Sequence, residues 1–83
     1  MKYLDCVEVI VEKEKYAKDG VHKGMQGVIW LEESINGEWD VYFPQYGEKD
    51  DIAEISMKES DLILLPNGMD ARINEQIKVK YDR

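Results

Sequence analysis

The side chains with the widest chemical reach in this sequence are its aromatics. Trp30 and Tyr42 fall on the same side of two neighbouring predicted strands, opposite the apolar side, and Tyr16 and Tyr46 lie in loops that would flank them. Exposed aromatic pairs are favoured contact surfaces because they bury a large area with few rotatable bonds. Trp30, Tyr42, Tyr16 and Tyr46 are therefore the candidate partner-binding residues. A competing expectation is that the C-terminal tail covers Trp30 and Tyr42 with Ile73, Ile77 and Tyr81. Both readings stand at the level of sequence.

The residue types that carry catalysis are sparse. His22 is the single histidine and Cys6 the single cysteine, so neither a histidine-rich metal site nor a Cys-x-x-Cys zinc pair can form. Cys6 reads as a packed strand residue and His22 as a solvated loop residue; a Cys6–His22 dyad is disfavoured because one opens a strand and the other sits among lysines. Gly20, Gly24 and Gly27 lack the spacing of a dinucleotide fingerprint or a phosphate loop and read as turn and bulge glycines. Glu48, Asp50 and Asp51 are oxygen donors of the type that calcium takes. They lack the spaced acids and glycine of a calcium loop, and a solvated cluster is the expectation. No catalytic residue, no metal site and no cofactor is expected, and the chain reads as non-enzymatic.

Strands must position the aromatics, and five can be read. In CVEVIVE, Val7, Val9 and Val11 alternate with Glu8 and Glu12, the period of a half-buried strand, with Ile10 breaking the polar side. A charged loop follows, with a turn at Asp19-Gly20; a helical turn around Glu14 to Lys18 is open to it, but with too few apolar residues for a stable helix. The second strand is MQGVIWLEE, with Gly27 at a bend, and the third is EWDVYF, with Trp39, Val41 and Phe43 on its apolar face. Ile35-Asn36-Gly37 turns the chain between them. A three-residue loop sets Leu31 opposite Val41, Ile29 opposite Phe43 and Trp30 opposite Tyr42, keeping like faces together; a two-residue loop would mix them. IAEISMK and DLILLP supply the last two strands, with a short turn at Lys58 to Asp61. The inward set is Val7, Val9, Val11, Ile29, Leu31, Val41, Phe43, Ile55, Met57, Leu62 and Leu64.

Beyond Pro66 two periods compete. Met69, Ile73, Ile77 and Tyr81 are spaced by four, as on a helix, while Ile77, Val79 and Tyr81 alternate, as on a strand. The expectation is a short helix from about Ala71 to Lys78, or a disordered tail. The organisation is thus a barrel over residues 1–66 and an extension over 67–83, in an all-β, small five-stranded SH3-like barrel class.

Charge narrows the partners. Of the formal −7, residues 32–61 carry ten acids against two bases. Such a surface repels phosphate backbones and attracts bases. A nucleic-acid partner is accordingly disfavoured and a basic protein partner favoured. No apolar run approaches the ~20 residues that a membrane span needs, and neither a signal-peptide pattern nor a lipidation signal is visible. With one cysteine and no framework of disulfides, the cytoplasm is the expected compartment. A monomer or a weak dimer is expected, the latter through edge strands.

The pieces VEVIV, HKGMQGVIWLEE, EWDVYF and DLILLP, over residues 5–66, resemble the KOW-type SH3-like barrels and are similar to segments of small stand-alone bacterial proteins of unknown function. That resemblance implies binding to RNA, ribosomal proteins or polymerase partners. Lys13, Lys15, Lys18 and Lys23 cluster in the first loop as it would require, but Glu14 and Asp19 sit among them. The function expected is a protein-interaction module for an unidentified partner. The alternatives are a KOW-like nucleic-acid module using those lysines and an accessory or immunity-type protein that inhibits a basic toxin.

Overall fold

Alternation in the first strand sorts the chain into an inside and an outside. In β1 (Cys6–Val9), Val7 and Val9 are fully buried while Cys6 and Glu8 are half-buried on the opposite side. The computed structural model describes residues 1–47 and 50–82. After β1 come α1 (Glu14–Ala17), β2 (Gln26–Ile29), β3 (Glu38–Phe43), β4 (Ala53–Lys58), a 3₁₀ turn at Glu59–Asp61, β5 (Leu62–Leu64) and α2 (Ala71–Tyr81). The strands form one antiparallel sheet in the order β4-β3-β2-β1-β5, a curled half-barrel of the SH3-like kind with one C-terminal helix.

The core gathers Val7, Val9, Ile29, Trp39, Val41, Phe43, Met57 and Leu62 from the strands. Tyr16, Val21 and Met25 join it from the long first loop. Four expected inward residues sit differently. Val11, Leu31 and Ile55 are only partly buried, at the margin of the core. Leu64, opposite Val7, is exposed, because β5 is an edge strand that pairs only with β1.

The β2–β3 hairpin corrects the expected register. Ile35 and Glu38 exchange both backbone hydrogen bonds, 2.9 and 3.0 Å, around a two-residue turn. Asn36 and Gly37 there have φ of 54° and 78°, the left-handed pair that this tight turn demands. Yet Val28 faces Tyr42 and Ile29 faces Val41, two residues away from the expected pairing. Both observations fit because Glu32 to Ser34 bow out of the ladder. The shift is even, so every side chain keeps its face.

Gly27 has a steric role. A Cβ at that position would lie 2.7 Å from the Tyr42 carbonyl oxygen and 2.9 Å from a Val41 methyl, so β2 crosses close over β3 only without a side chain. Beyond it the ladder meets an obstacle. Continuing the register sets Gln26 opposite Pro44, which has no N–H to give. The side chain of Asn74, from α2, fills the break. Its Oδ1 accepts from the Gln26 N–H at 2.6 Å, and its Nδ2 donates to the carbonyls of Gln26 at 2.7 Å and Pro44 at 2.9 Å. One carboxamide thus stands in for a missing peptide unit.

The same contact fixes the helix. The Gln26 side chain accepts from the Asp70 backbone N–H at 2.8 Å, and Asp70 caps the first turn through the Arg72 N–H at 3.0 Å. Ile77 packs on the core beside Gly24. Helical spacing therefore wins over strand alternation, and α2 runs to Tyr81, three residues past the expected end. Replacing Asn74 by leucine leaves three buried backbone groups without partners. It should lower the unfolding free energy by about 2–4 kcal/mol, read as a drop in the urea midpoint.

Candidate functional site

On the outer face of the sheet, two cross-strand rows place the candidate site. Trp30 follows β2 and extends the ladder, its N–H donating to the Asp40 carbonyl at 2.8 Å. Asp40 faces Ser56 in β4, which makes one row of Trp30, Asp40 and Ser56. The adjacent row is Val28, Tyr42 and Glu54. The Trp30 and Tyr42 rings meet diagonally between the rows, with centroids 5.9 Å apart. The structure thus brings together two of the four expected site residues.

A third ring joins them. Tyr3 sits 5.5 Å from Trp30, centroid to centroid, and is exposed. A turn delivers it: the Asp5 N–H donates to the Lys2 carbonyl at 3.1 Å, and the Asp5 carboxylate accepts from the Lys2 N–H at 2.9 Å. Leu4 occupies this turn at φ 71°, a left-handed conformation costly for a side chain bearing Cβ. Tyr3 was not foreseen, because no periodicity reaches into a turn ahead of the first strand.

Carboxylates line the β4 side of this face. The Tyr42 hydroxyl donates to Asp51, and that bond raises the phenol's pKa. Asp40 stands diagonally across from Glu54, and its closeness pushes the Glu54 carboxyl above its usual range. The neighbouring charges of Asp40 and Asp51 act in the same direction.

Tyr16 lies elsewhere. The expectation that it flanks the aromatic face is corrected: it is 1 % exposed and lies in the core. Its hydroxyl donates to Asp61 at 2.6 Å and accepts from the Lys58 N–H at 3.2 Å. Burial and the Asp61 carboxylate push the phenol up to about 12. This ring is why a single helical turn persists in so charged a segment: α1 is anchored by one buried tyrosine. Lys13 bonds Asp61 at 2.8 Å, and the Lys13 and Lys15 ammoniums lie 5.8 and 5.2 Å from the Tyr16 ring centre. Two of the four loop lysines are therefore engaged within the chain.

Tyr46 is exposed, but it borders a different feature. It lines a groove of about 520 Å³ with Arg72, Glu75, Gln76 and Val79 of α2. His22 is also corrected from a solvated residue. Its ring stacks on Tyr81 at 3.6 Å and 3°, and its Nδ1 lies 2.8 Å from Glu12. Burial opposes the Glu12 charge, but the Lys23 N–H and His22 outweigh it and lower the carboxyl's pKa. Cys6 lies on the outer strand face opposite Val28, away from His22 and its Tyr81 stack. Of the acidic trio, Glu48 lies outside the described residues, and Asp51 is bonded to Tyr42. Among the described residues no group of three His, Cys, Asp or Glu is placed to hold a metal ion, and no helix is long and apolar enough to cross a membrane.

The tail leaves the aromatic face uncovered. Ile77 is committed to the core and Tyr81 to His22, at the end of β2 opposite Trp30. Trp30 is accordingly 46 % exposed, against 5 % for Trp39, whose indole donates to Glu59 at 2.8 Å. No family model, no curated protein and no solved structure matches this chain.

Acrylamide should therefore quench a Trp39→Phe protein, which reports Trp30, severalfold more steeply than a Trp30→Phe protein, which reports Trp39. A second expectation concerns acid. Burial works against the Asp61 charge, but the bonds from Lys13 and Tyr16 outweigh it and hold the carboxyl below its ordinary value of 3.8. The folded form thus takes up the proton less readily than the unfolded chain. Asp61's contribution is complete above about pH 5 and is lost as pH falls through the ordinary carboxylate range to the lowered folded value. Urea midpoints of Asp61→Asn should fall less steeply in that window than those of the parent.

Proposed function

We propose that this chain is a non-enzymatic protein-interaction module that docks its partner on the Tyr3–Trp30–Tyr42 face. One observation carries the reading: a tryptophan is left 46 % exposed between two tyrosines, while the helix that was available to cover it is tied down elsewhere. Exposed aromatics contribute a large share of the energy in protein contacts. Leu4 supports it further, since a left-handed leucine is kept where it delivers Tyr3 to the face.

The acid-rich middle of the chain favours a basic partner, met in the cytoplasm. A KOW-type ancestry fits the glycine-led β2 and the curled sheet, but the engaged lysines of the first loop weigh against the nucleic-acid branch of that family. A protein that inhibits a basic toxin is one instance of the same reading.

A photo-crosslinking side chain at Tyr3, in cells of the native host, is expected to trap proteins that the same group at exposed Lys18 does not. Trp30→Ala should reduce that trapping at least about fivefold, the order expected of a central aromatic contact. Equal trapping from both positions would overturn the reading.

A further inference from the structure

The outer face carries a charge conflict that the described part of the chain does not resolve. Asp40 and Glu54 stand diagonally on neighbouring strands with their side chains on one face, and the closeness of Asp40 raises the pKa of the Glu54 carboxyl. Like charges facing one another across a sheet are destabilising. Lys13–Asp61, His22–Glu12 and Arg72–Asp70 are ion pairs among the described residues, and none of these three involves Asp40, Glu54 or Asp51. The conflict lies directly beside the aromatics: Asp40 is the cross-strand neighbour of Trp30, and Glu54 that of Tyr42.

We propose that the face recognises one cationic side chain, a lysine or arginine presented by a partner protein, seated against the Trp30 and Tyr42 rings with Asp40 and Glu54 as its counter-charges. This rests on the interaction reading above and names the chemistry of the partner.

Three physical arguments select that guest. The faces of indole and phenol rings attract cations, tryptophan most strongly. An arginine or lysine stem also covers apolar ring surface while its head reaches the carboxylates. A purely apolar guest would strip water from Asp40 and Glu54 without pairing them, at a net cost. A phosphate-bearing guest would meet a segment with ten acids against two bases.

Two-dimensional NMR on the full chain can read this directly, because the indole N–H of Trp30 reports the site and that of Trp39, buried and bonded to Glu59, is an internal control. The probes are capped peptides Gly-Gly-Xaa-Gly-Gly in which Xaa is arginine, lysine, leucine or glutamate, together with a uridine oligonucleotide and calcium chloride, all at neutral pH. The arginine and lysine peptides should shift the Trp30 signal saturably, leave Trp39 unmoved and bind at least about fivefold more tightly than the leucine peptide. Raising the salt from about 20 to about 200 mM should weaken them severalfold. The double variant Asp40→Asn/Glu54→Gln removes the repulsion and keeps the shape, so it should stay folded. It should lose at least about fivefold in affinity for the arginine peptide and keep that for the leucine peptide.

Leucine binding as tightly as arginine, or an unchanged arginine affinity in the double variant, would overturn the cation while leaving the aromatic face as a docking surface. A Trp30 response to the oligonucleotide or to calcium in place of the basic peptides would overturn it in favour of those ligands. No saturable shift with any peptide would also overturn it, and joined to equal crosslinking from Tyr3 and Lys18 would remove the interaction reading as well.

Discussion

The Asn74 carboxamide, inserted between Gln26 and Pro44, is the contact on which the arrangement of the molecule turns. Pro44, opposite Gln26, has no N–H to return, and the Gln26 N–H and the carbonyls of Gln26 and Pro44 all bond to Asn74 instead; buried polar groups of that kind cost about 1–3 kcal/mol each when left unpaired. A side-chain amide carries the same donor and acceptor as a peptide bond, so one asparagine restores the ladder without a sixth strand. Because that asparagine belongs to α2, the repair docks the helix. Gln26 takes part twice, with its backbone on Asn74 and its side chain on the Asp70 N–H.

This constraint also decides which surface stays free. α2 is pinned at the start of β2, where Ile77 meets the core and Tyr81 meets His22. Trp30 stands just past the other end of the same strand. An apolar tail that could have hidden the aromatics is thereby used up as the plug of a broken ladder. The exposed rings and the crowded carboxylates of Asp40 and Glu54 follow from strand geometry alone, since alternation sends both to the outer face.

Much of the sheet was legible because its signals are local. Alternating valines marked β1, EWDVYF marked β3, and the face of each residue followed from period two. The register was missed by two residues because hairpin arguments assume arms of equal length, whereas Glu32 to Ser34 bow out. Tyr16 was misplaced for a related reason. Apart from Ala17 its neighbours from Glu12 to Asp19 are charged, so little near it in sequence signals burial; its partners Lys58 and Asp61 are more than forty residues away along the chain. Of the aromatic face, Trp30 and Tyr42 could be named from alternation, while Tyr3 depends on a left-handed turn at a leucine that no sequence rule would choose.

The sequence by itself determined the number and faces of the strands, the presence of a turn at Asn36 and Gly37 though not its length, the acidic balance and the absence of a second histidine or cysteine. These rest on the period of the backbone and on counting. The tertiary structure decided where the tail goes, and with it whether Trp30 is covered. That depended on a proline opposing Gln26 across a register set by bulged residues, and on an asparagine forty-eight positions further along the chain supplying the amide that the proline lacks. Hydrogen-bond satisfaction is a property of the closed fold, so a residue that looks like a polar interruption in a helical stripe becomes, on folding, its anchor.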